Sequence, residues 1–318
     1  MEPKIRLKRL LNFLQREKIL QLLLVVMIIV LVSGFSISLL EDITFPNAIW
    51  WSIVTLTTVG YGDISPATTG GRIIAVLIMF FGIGLLGMLS AGLAAIIISH
   101  RMKEDKGMCA SNFENHIILC EWNHRAKAIL KELRADTENA DTPIVLIAGL
   151  EEKPVDDPNL FFIKGTVSEE TLERANLTRA KTVVVLGDDN IEPTSRDAKV
   201  VLTTLTIESL SNNVYTVVEL VDEKNVRHCK RAHADEIIVG SELSSNLIAS
   251  AATDHGISRI VSELLSTQYG NNLSAIPASS DMVDKSFLDV FVAMKKDKNS
   301  TVLGIQKGRG GELITNPP

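Results

Sequence analysis

The chain has 318 residues, a length typical of about two domains. Its formal net charge of -6 provides no basic surface of the kind that binds nucleic acid, so no nucleic-acid partner is expected. Its three cysteines stand far apart in the sequence and indicate neither a disulfide framework nor a zinc cluster. Cysteines of this kind suit a reducing cytosol.

Two apolar segments near the amino terminus are long enough to cross a lipid bilayer. As helices, residues 19–40 would reach about 33 Å and residues 73–99 about 40 Å, against a hydrocarbon core of about 30 Å. The first segment is too long for a signal peptide and a second span follows it. We therefore predict two transmembrane helices within a membrane domain over residues 19–100.

The charges that flank the two spans predict their orientation. The stretch between the spans holds a single basic residue, Arg72. The basic residues on the other flanks are Lys4, Arg6, Lys8, Arg9, Arg16, Lys18, Arg101, Lys103 and Lys106. The positive-inside rule then places both termini in the cytoplasm. We expect the protein in the cell (inner) membrane. Residues 1–18 are amphipathic and either lie on the inner membrane surface or extend the first helix.

The segment between the spans has a pattern of its own, which covers residues 44–63. An apolar helix is predicted to begin near Pro46, with Thr44 as its candidate cap. At roughly a dozen residues it is too short to cross the bilayer and must return on the same side. Non-helical backbone at membrane depth is tolerated only where protein or a water-filled cavity surrounds it. The loop after the helix must therefore line a cavity.

That loop reads TVGYG, which is identical to the selectivity filter of potassium channels. The chain therefore resembles a two-helix potassium channel. Gly60 and Gly62 can adopt backbone angles closed to other residues, which lets successive carbonyls point the same way. The resemblance implies a homotetramer in which four loops replace the hydration shell of K⁺. It also implies the filter residues, Thr58, Val59, Gly60, Tyr61 and Gly62, with K⁺ bound at the first four.

Five further residues of this membrane domain are candidates for channel function. Trp50 and Trp51 are expected to pack behind the loop with Tyr61, and Asp63 is expected at the outer mouth, where it would attract cations. In the second span, the resemblance implies a gating hinge at Gly82 or Gly84. The alternative for these glycines is close helix packing by small residues.

Residues 115–240 alternate short β-branched runs with helices, which predicts a parallel, doubly wound α/β sheet of Rossmann-like type. Attached to a potassium pore through a linker at 101–114, this unit resembles the RCK domain (regulator of potassium conductance, TrkA-N type). The likeness is greatest to calcium-gated prokaryotic channels. It implies a helical crossover at 241–271 that pairs neighbouring domains. It also implies a small α+β lobe at 272–318, which either is truncated or is completed by another chain.

The crevice at the carboxyl edge of this sheet is a candidate ligand cleft. The first strand-to-helix turn lacks the glycines of the G-x-G-x-x-G fingerprint, and Trp122 would block the approach of a pyrophosphate. Classical NAD binding is therefore not expected, although a modified nucleotide site remains open. The candidate residues are Cys120, Glu121, Trp122, Asn123, Gly149, Lys164, Gly187 and Asp188.

A divalent cation is the other candidate ligand, because Ca²⁺ prefers carboxylate oxygens. The site of the resembled channels needs an aspartate after the fourth strand and two glutamates at the fifth. Here Glu219 is present, but Val221 stands in place of the second glutamate. A different cation site and a solvated acidic rim both remain open. The residues concerned are Asp188, Asp189, Glu219 and Asp222.

The sequence therefore predicts a potassium-selective channel, not an enzyme, in which ligand binding to an RCK ring pulls on the inner helices. The resemblance also implies four extra soluble RCK domains from an internal start at Met108, unless Met108 is an ordinary linker residue. One alternative is a regulatory subunit of a potassium uptake system with a non-conducting pore. Another is a membrane-tethered, nucleotide-binding oxidoreductase, which the missing glycine fingerprint disfavours.

Overall fold

The computed structural model describes residues 19–136, 139–266, 273–308 and 311–317. The amphipathic segment 1–18 and the end of the predicted crossover lie outside the described residues. The chain divides into two compact units, and the second begins at Lys103.

The first unit consists of three helices, α1 (Ile19–Leu40), α2 (Phe45–Leu56) and α3 (Thr69–Asp105). Both α1 and α3 are long and apolar enough to cross a membrane. Helix α2 has a proline in its first turn, as predicted, but the side chain of Thr44 makes no capping hydrogen bond. Helix α3 extends beyond the predicted span 73–99 at both ends.

A small apolar core joins the three helices of this unit. It includes Ile37 from α1, Trp51 and Leu56 from α2, and Ile78 from α3, all buried. Other large apolar side chains of α1 and α3 are exposed in the single chain. Apolar faces of this extent are expected where a chain meets lipid or further copies of itself.

Glu41 ties the end of α1 to the start of α3. Its carboxylate accepts hydrogen bonds from the backbone N–H groups of Ala67 (2.9 Å) and Thr68 (3.0 Å) and from the Thr68 hydroxyl (2.6 Å). The Thr68 hydroxyl and the Ala67 N–H stabilise the ionised carboxyl, so the pKa of Glu41 lies below its ordinary value. The bonds satisfy the N–H groups of the two residues that precede α3.

We expect Glu41→Gln to lower the Tm of the full-length protein at neutral pH. The glutamine amide has one neutral acceptor oxygen, whereas the carboxylate accepts these three hydrogen bonds with two charged oxygens. A carboxyl whose folded pKa is depressed stabilises the fold above its unfolded pKa, and this contribution is lost as the pH falls through the folded pKa. The Tm difference between wild type and variant should therefore shrink below about pH 4. Asp42→Asn in the same loop is the matched control. A difference that stays constant with pH would contradict this role.

The second unit contains a six-stranded parallel sheet in the order β3-β2-β1-β4-β5-β6. The strands coincide with short β-branched and apolar runs of the sequence, as predicted for residues 115–240. They are β1 (Ile117–Cys120), β2 (Ile144–Ala148), β3 (Leu160–Lys164), β4 (Thr182–Val185), β5 (Tyr215–Leu220) and β6 (Glu236–Val239). The order is that of a Rossmann-like fold, with its switch point between β1 and β4.

Helices cover both faces of the sheet, so the central strands are buried on both sides. Every residue of β1 and β2 is buried, which explains their continuous apolar runs. The helices are α4 (His124–Ala135), α5 (Glu169–Arg174), α6 (Pro193–Leu210) and α7 (Val226–Arg231). Helix α6 begins at Pro193, where the Glu192 carboxylate caps the N–H groups of Thr194 and Ser195.

The remaining elements follow the sheet. Within the predicted helical crossover, helices α8 (Gly240–Thr253) and α9 (Ile257–Leu265) are separated at Gly256, which has a φ of 99°. A further helix, α10 (Phe287–Lys298), was not predicted. Strands β7 (Gly304–Gln306) and β8 (Leu313–Thr315) form an antiparallel pair.

Candidate functional site

In the loop after α2, residues with a positive φ angle alternate with residues without one. Thr58, Gly60 and Gly62 have positive φ angles of 60°, 57° and 74°, whereas Val59 and Tyr61 do not. Alternation of this kind lets successive carbonyls face one side, as predicted for the two glycines. The left-handed Thr58 was not predicted, because a β-branched residue rarely adopts this conformation. The Val59 N–H donates to the carbonyl of Val54 (3.0 Å), which fixes the loop to the end of α2.

Trp50 braces the outer part of the same loop. Its ring stacks on Tyr61 with centroids 6.0 Å apart and an interplanar angle of 9°. Its Nε1 donates to Oδ2 of Asp63 at 2.9 Å. Trp51 is buried in the core between the three helices, and its predicted packing behind the loop stays a prediction. The two tryptophans point to different sides because they are neighbours on one helix.

Gly82 lies against the end of α2. A Cβ atom at this position would be 2.7 Å from the Leu56 carbonyl oxygen and 3.1 Å from the Leu56 Cα. Gly84 and Gly87 have no such neighbour within 4 Å in the described chain. Close packing therefore requires a glycine at position 82, and the hinge role of Gly82 or Gly84 stays a prediction.

We expect Gly82→Ala to destabilise the first unit by about 1–3 kcal/mol, because the new methyl group meets backbone atoms that cannot rotate away. Gly84→Ala is the matched control, since it adds the same methyl group on the same helix without a clash. It is expected to stabilise α3 by up to about 1 kcal/mol. Thermal unfolding of the two purified variants measures the difference, and equal Tm values would contradict the packing role of Gly82.

In the second unit, the predicted cleft lies at the carboxyl ends of β1 and β4. Lys199 of α6 reaches into it, with Nζ 2.5 Å from Oε1 of Glu121 and 3.6 Å from Oδ2 of Asp188. Partial burial lowers the pKa of Lys199, but the hydrogen bond and charge of Glu121 and the charge of Asp188 raise it above its ordinary value overall. Lys199 is therefore positively charged at neutral pH and pairs with both carboxylates.

A second ionic network lies beside the first. Arg125 binds Oε1 of Glu219 through Nε and Oδ1 of Asp189 through Nη2, both at 2.7 Å. Asp189 also contacts Arg196 (3.1 Å) and His124 (3.0 Å). Burial opposes ionisation of Asp189, but its bonds with Arg125 hold its pKa below the ordinary value. The sequence interpretation missed all three cations of the cleft, although Arg125 lies in the first turn of α4, at the carboxyl edge of β1.

The other predicted cleft residues have separate roles. Asn123 caps α4 by accepting from the Ala126 N–H (2.9 Å) and donates to the Gly187 carbonyl (2.8 Å). Gly187 leaves room for Arg196, whose Cδ would be 2.3 Å from a Cβ there. Trp122 packs against a buried cluster, Gly149 has open space around it, and Lys164 pairs with Glu151 at 2.6 Å.

The four candidate cation ligands are not gathered into one site. Asp189 and Glu219 share Arg125, Asp188 faces Lys199, and Asp222 accepts from the Lys224 N–H (2.9 Å) at the start of a short 3₁₀ helix. Within the described part of the chain, no group of three or more His, Cys, Asp or Glu residues could hold a metal ion. The divalent site stays a prediction.

Comparison with known proteins assigns both units to families. Residues 24–99 match the "Ion channel" family model, and residues 112–218 match the model "Calcium-activated potassium channel slowpoke-like RCK domain". The "Calcium-gated potassium channel TvoK" of Thermoplasma volcanium is 34% identical over 84% of this chain and 78% of its own length. The chain belongs to the potassium channels that carry an RCK domain.

Two further similarities were found. The "Putative potassium channel protein YugO" of Bacillus subtilis is 30% identical over 92% of this chain and 89% of its own length. The solved structure "GsuK channel bound to NAD" has a TM-score of 0.48 and 15% identity, and it covers 69% of this chain and 41% of that one. The family assignment confirms the predicted fold class, the resemblance and the potassium-channel function. Neither the uptake-regulator nor the oxidoreductase interpretation is favoured.

Proposed function

We propose that this RCK potassium channel assembles from four copies of the chain, with the loops Thr58–Gly62 of the four copies forming one selectivity filter. The observation that carries the proposal is the alternating backbone of this loop, held between the end of α2 and the Trp50–Asp63 bond. Carbonyl oxygens arranged in this way replace the water around K⁺. The channel would lie in the cell membrane with both termini in the cytoplasm, as the basic flanks indicate.

Purified protein in liposomes tests this proposal. We expect uptake of Rb⁺, a K⁺ substitute, to exceed uptake of Na⁺ strongly, and chemical cross-linking in detergent to stop at four chains. Equal uptake of the two ions, or assembly no larger than a dimer, would overturn it. A regulatory subunit with a closed pore would pass neither ion.

The regulatory ligand is proposed to act on the ionic cleft of the RCK domain. One relative is named as calcium-gated, and the cleft holds the carboxylates of Glu121, Asp188, Asp189 and Glu219. Arg125 and Lys199 pair with these groups and neutralise their charge. A divalent cation would therefore have to displace the side chains of Arg125 and Lys199 before it could bind. This competition would favour the conformation in which the ion pairs are intact. A nucleotide remains the second candidate.

Arg125→Gln tests the competition. Removal of this cation frees the carboxylates of Asp189 and Glu219. The concentration of Ca²⁺ that gives half of its maximal effect on Tm and on Rb⁺ uptake should then fall roughly tenfold, the factor for one charge-assisted bond. Arg227→Gln, a change at an exposed arginine on α7, is the matched control. If Ca²⁺ affects neither wild type nor variant while adenine nucleotides raise the Tm of both, the nucleotide candidate replaces the cation.

Two finer points belong to this proposal. Motion of the RCK domains would bend α3 at Gly82 or Gly84. Soluble RCK domains from an internal start at Met108 would add four members to the ring. Expression of the natural coding sequence should then yield a second, shorter product, which Met108→Leu should abolish. A single product from the unaltered sequence would remove the extra domains from the proposal.

A further inference from the structure

The stretch predicted as a linker is ordered against the sheet of the second unit. We call residues Asp105–Asn115 the strap. Its backbone forms hydrogen bonds along its whole length with residues that lie far away in the sequence. These bonds are Lys153 N–H to Asp105 O (2.8 Å), Lys164 N–H to Gly107 O (3.1 Å), Ser111 N–H to Arg174 O (2.7 Å) and Asn115 N–H to Arg179 O (2.9 Å).

Two side chains add to this backbone pairing, both near the end of α5. Arg174, half-buried, donates through Nη2 to the carbonyl of Gly107 (2.5 Å) and to that of Cys109 (3.3 Å). Asn176 donates through Nδ2 to the carbonyl of Phe113 (2.8 Å). A guanidinium group presents several donors in a rigid fork, so Arg174 can hold two carbonyls of one chain segment together.

The strap fits closely at Gly107. This residue is buried, has a φ of 65°, and a Cβ there would be 2.2 Å from the Lys164 nitrogen and 2.9 Å from Phe162 Cδ1. Lys164 and Phe162 belong to β3, the edge strand of the sheet. Further along the strap, the ring of Phe113 meets that of Phe161 edge to face at 6.0 Å. The strap therefore covers an edge of the sheet that would otherwise be open.

The strap begins where α3 ends, and the carbonyl of Asp105, the last residue of α3, is already bonded to Lys153. Asp105 therefore both ends α3 and makes the first hydrogen bond of the strap, with no flexible residue between the two. We propose that Arg174 is a positioning residue that clamps the strap, so that movement of β3 and α5 passes directly to the end of α3. This inference rests on the proposed RCK gating, because it names the path by which that gating would act.

The thiol of Cys109 reports whether the strap is docked. Cys109 is half-buried, and burial raises the pKa of its thiol, whereas Cys120 and Cys229 are buried in the core. In the full-length channel, Arg174→Gln should raise the rate of Cys109 alkylation roughly tenfold or more, the factor for losing a charge-assisted hydrogen bond. Arg174→Lys keeps the charge but lacks the forked guanidinium group. Its rate of Cys109 alkylation should lie between those of wild type and Arg174→Gln. Arg179→Gln, a change at an exposed side chain near the strap, is the control.

Single-channel recording of the same variants in lipid bilayers tests the transmission. With Ca²⁺ as the probe, we expect the ratio of open probability with and without the ion to fall towards one in Arg174→Gln, while the Ca²⁺-induced Tm shift persists. If Ca²⁺ does not act on wild type, the ligand-free open probability becomes the readout and should change.

Each outcome decides part of the inference. Equal alkylation of Arg174→Gln and Arg179→Gln would overturn the clamp. Faster alkylation with unaltered open probability would overturn the transmission. If wild type passes no K⁺ current, the proposed function fails on its own, and the alkylation rates still decide the clamp.

Discussion

Gly60→Ala is expected to abolish selective K⁺ conduction. Gly60 has a φ of 57°, and no atom lies within 4 Å of a Cβ built there. The effect would therefore come from the backbone and not from a clash within the chain. An L-residue in this conformation costs roughly 1–2 kcal/mol, and a tetramer would carry the cost four times, roughly 4–8 kcal/mol in all. A filter under this strain should change its backbone and lose the carbonyl positions that match K⁺.

The measurement is uptake of Rb⁺ and Na⁺ by liposomes that contain equal amounts of assembled protein. Gly87→Ala is the matched control, because Gly87 also has open space at its Cβ position but lies within helix α3. The control should conduct Rb⁺ as the wild type does. Gly60→Ala channels with wild-type uptake and selectivity would show that the left-handed backbone at this position does not matter for the pathway.

Asp197→Ala is expected to destabilise the RCK domain more than any surface change. Asp197, on α6, is fully buried, and its carboxylate accepts from the N–H groups of Val221 (2.9 Å) and Asp222 (2.9 Å) and from Nδ2 of Asn225 (2.8 Å). These bonds fix the loop that follows β5. Alanine would leave three donors without their acceptor, at about 1–3 kcal/mol for each donor that stays buried. A total loss of about 3 kcal/mol corresponds to a fall in Tm of roughly 6–12 °C.

Thermal unfolding of the full-length channel, followed by circular dichroism, measures this effect. Asp156→Ala, at an exposed aspartate in the loop after β2, is the control and should change the stability by less than about 0.5 kcal/mol. Asp197→Asn should give an intermediate loss, because the amide keeps one acceptor oxygen but turns a donor group towards other donors. If the Tm of Asp197→Ala lies within 2 °C or so of the control, roughly the shift for 1 kcal/mol, the loop does not depend on this carboxylate.

In the candidate cleft, the sequence allowed the acidic residues to be placed but not their partners. The position of the cleft at the carboxyl edge of the sheet could be predicted, because the carboxyl ends of parallel strands meet at one edge. Asp188 and Glu219 could be placed there from the strand ends alone. The partners of these acids could not, since Arg125 lies 94 residues from Glu219 in the sequence. Of the four carboxylates that looked like a cation site in the sequence, those of Asp188, Asp189 and Glu219 therefore lie in ion pairs with Lys199 and Arg125.

The sequence by itself determined the two spans, the short helix between them, the TVGYG loop and the order of strands and helices in the sheet. These features depend on local composition, run length and periodicity, which a short window of residues contains. Only the tertiary structure decided that Trp50 stacks on Tyr61 and binds Asp63, that Gly82 packs against the end of α2, and that the predicted linker docks on the sheet of the second unit. Each of these depends on which distant segments come together, and hydrogen bonds and close contacts between such segments leave no periodic signal in the chain.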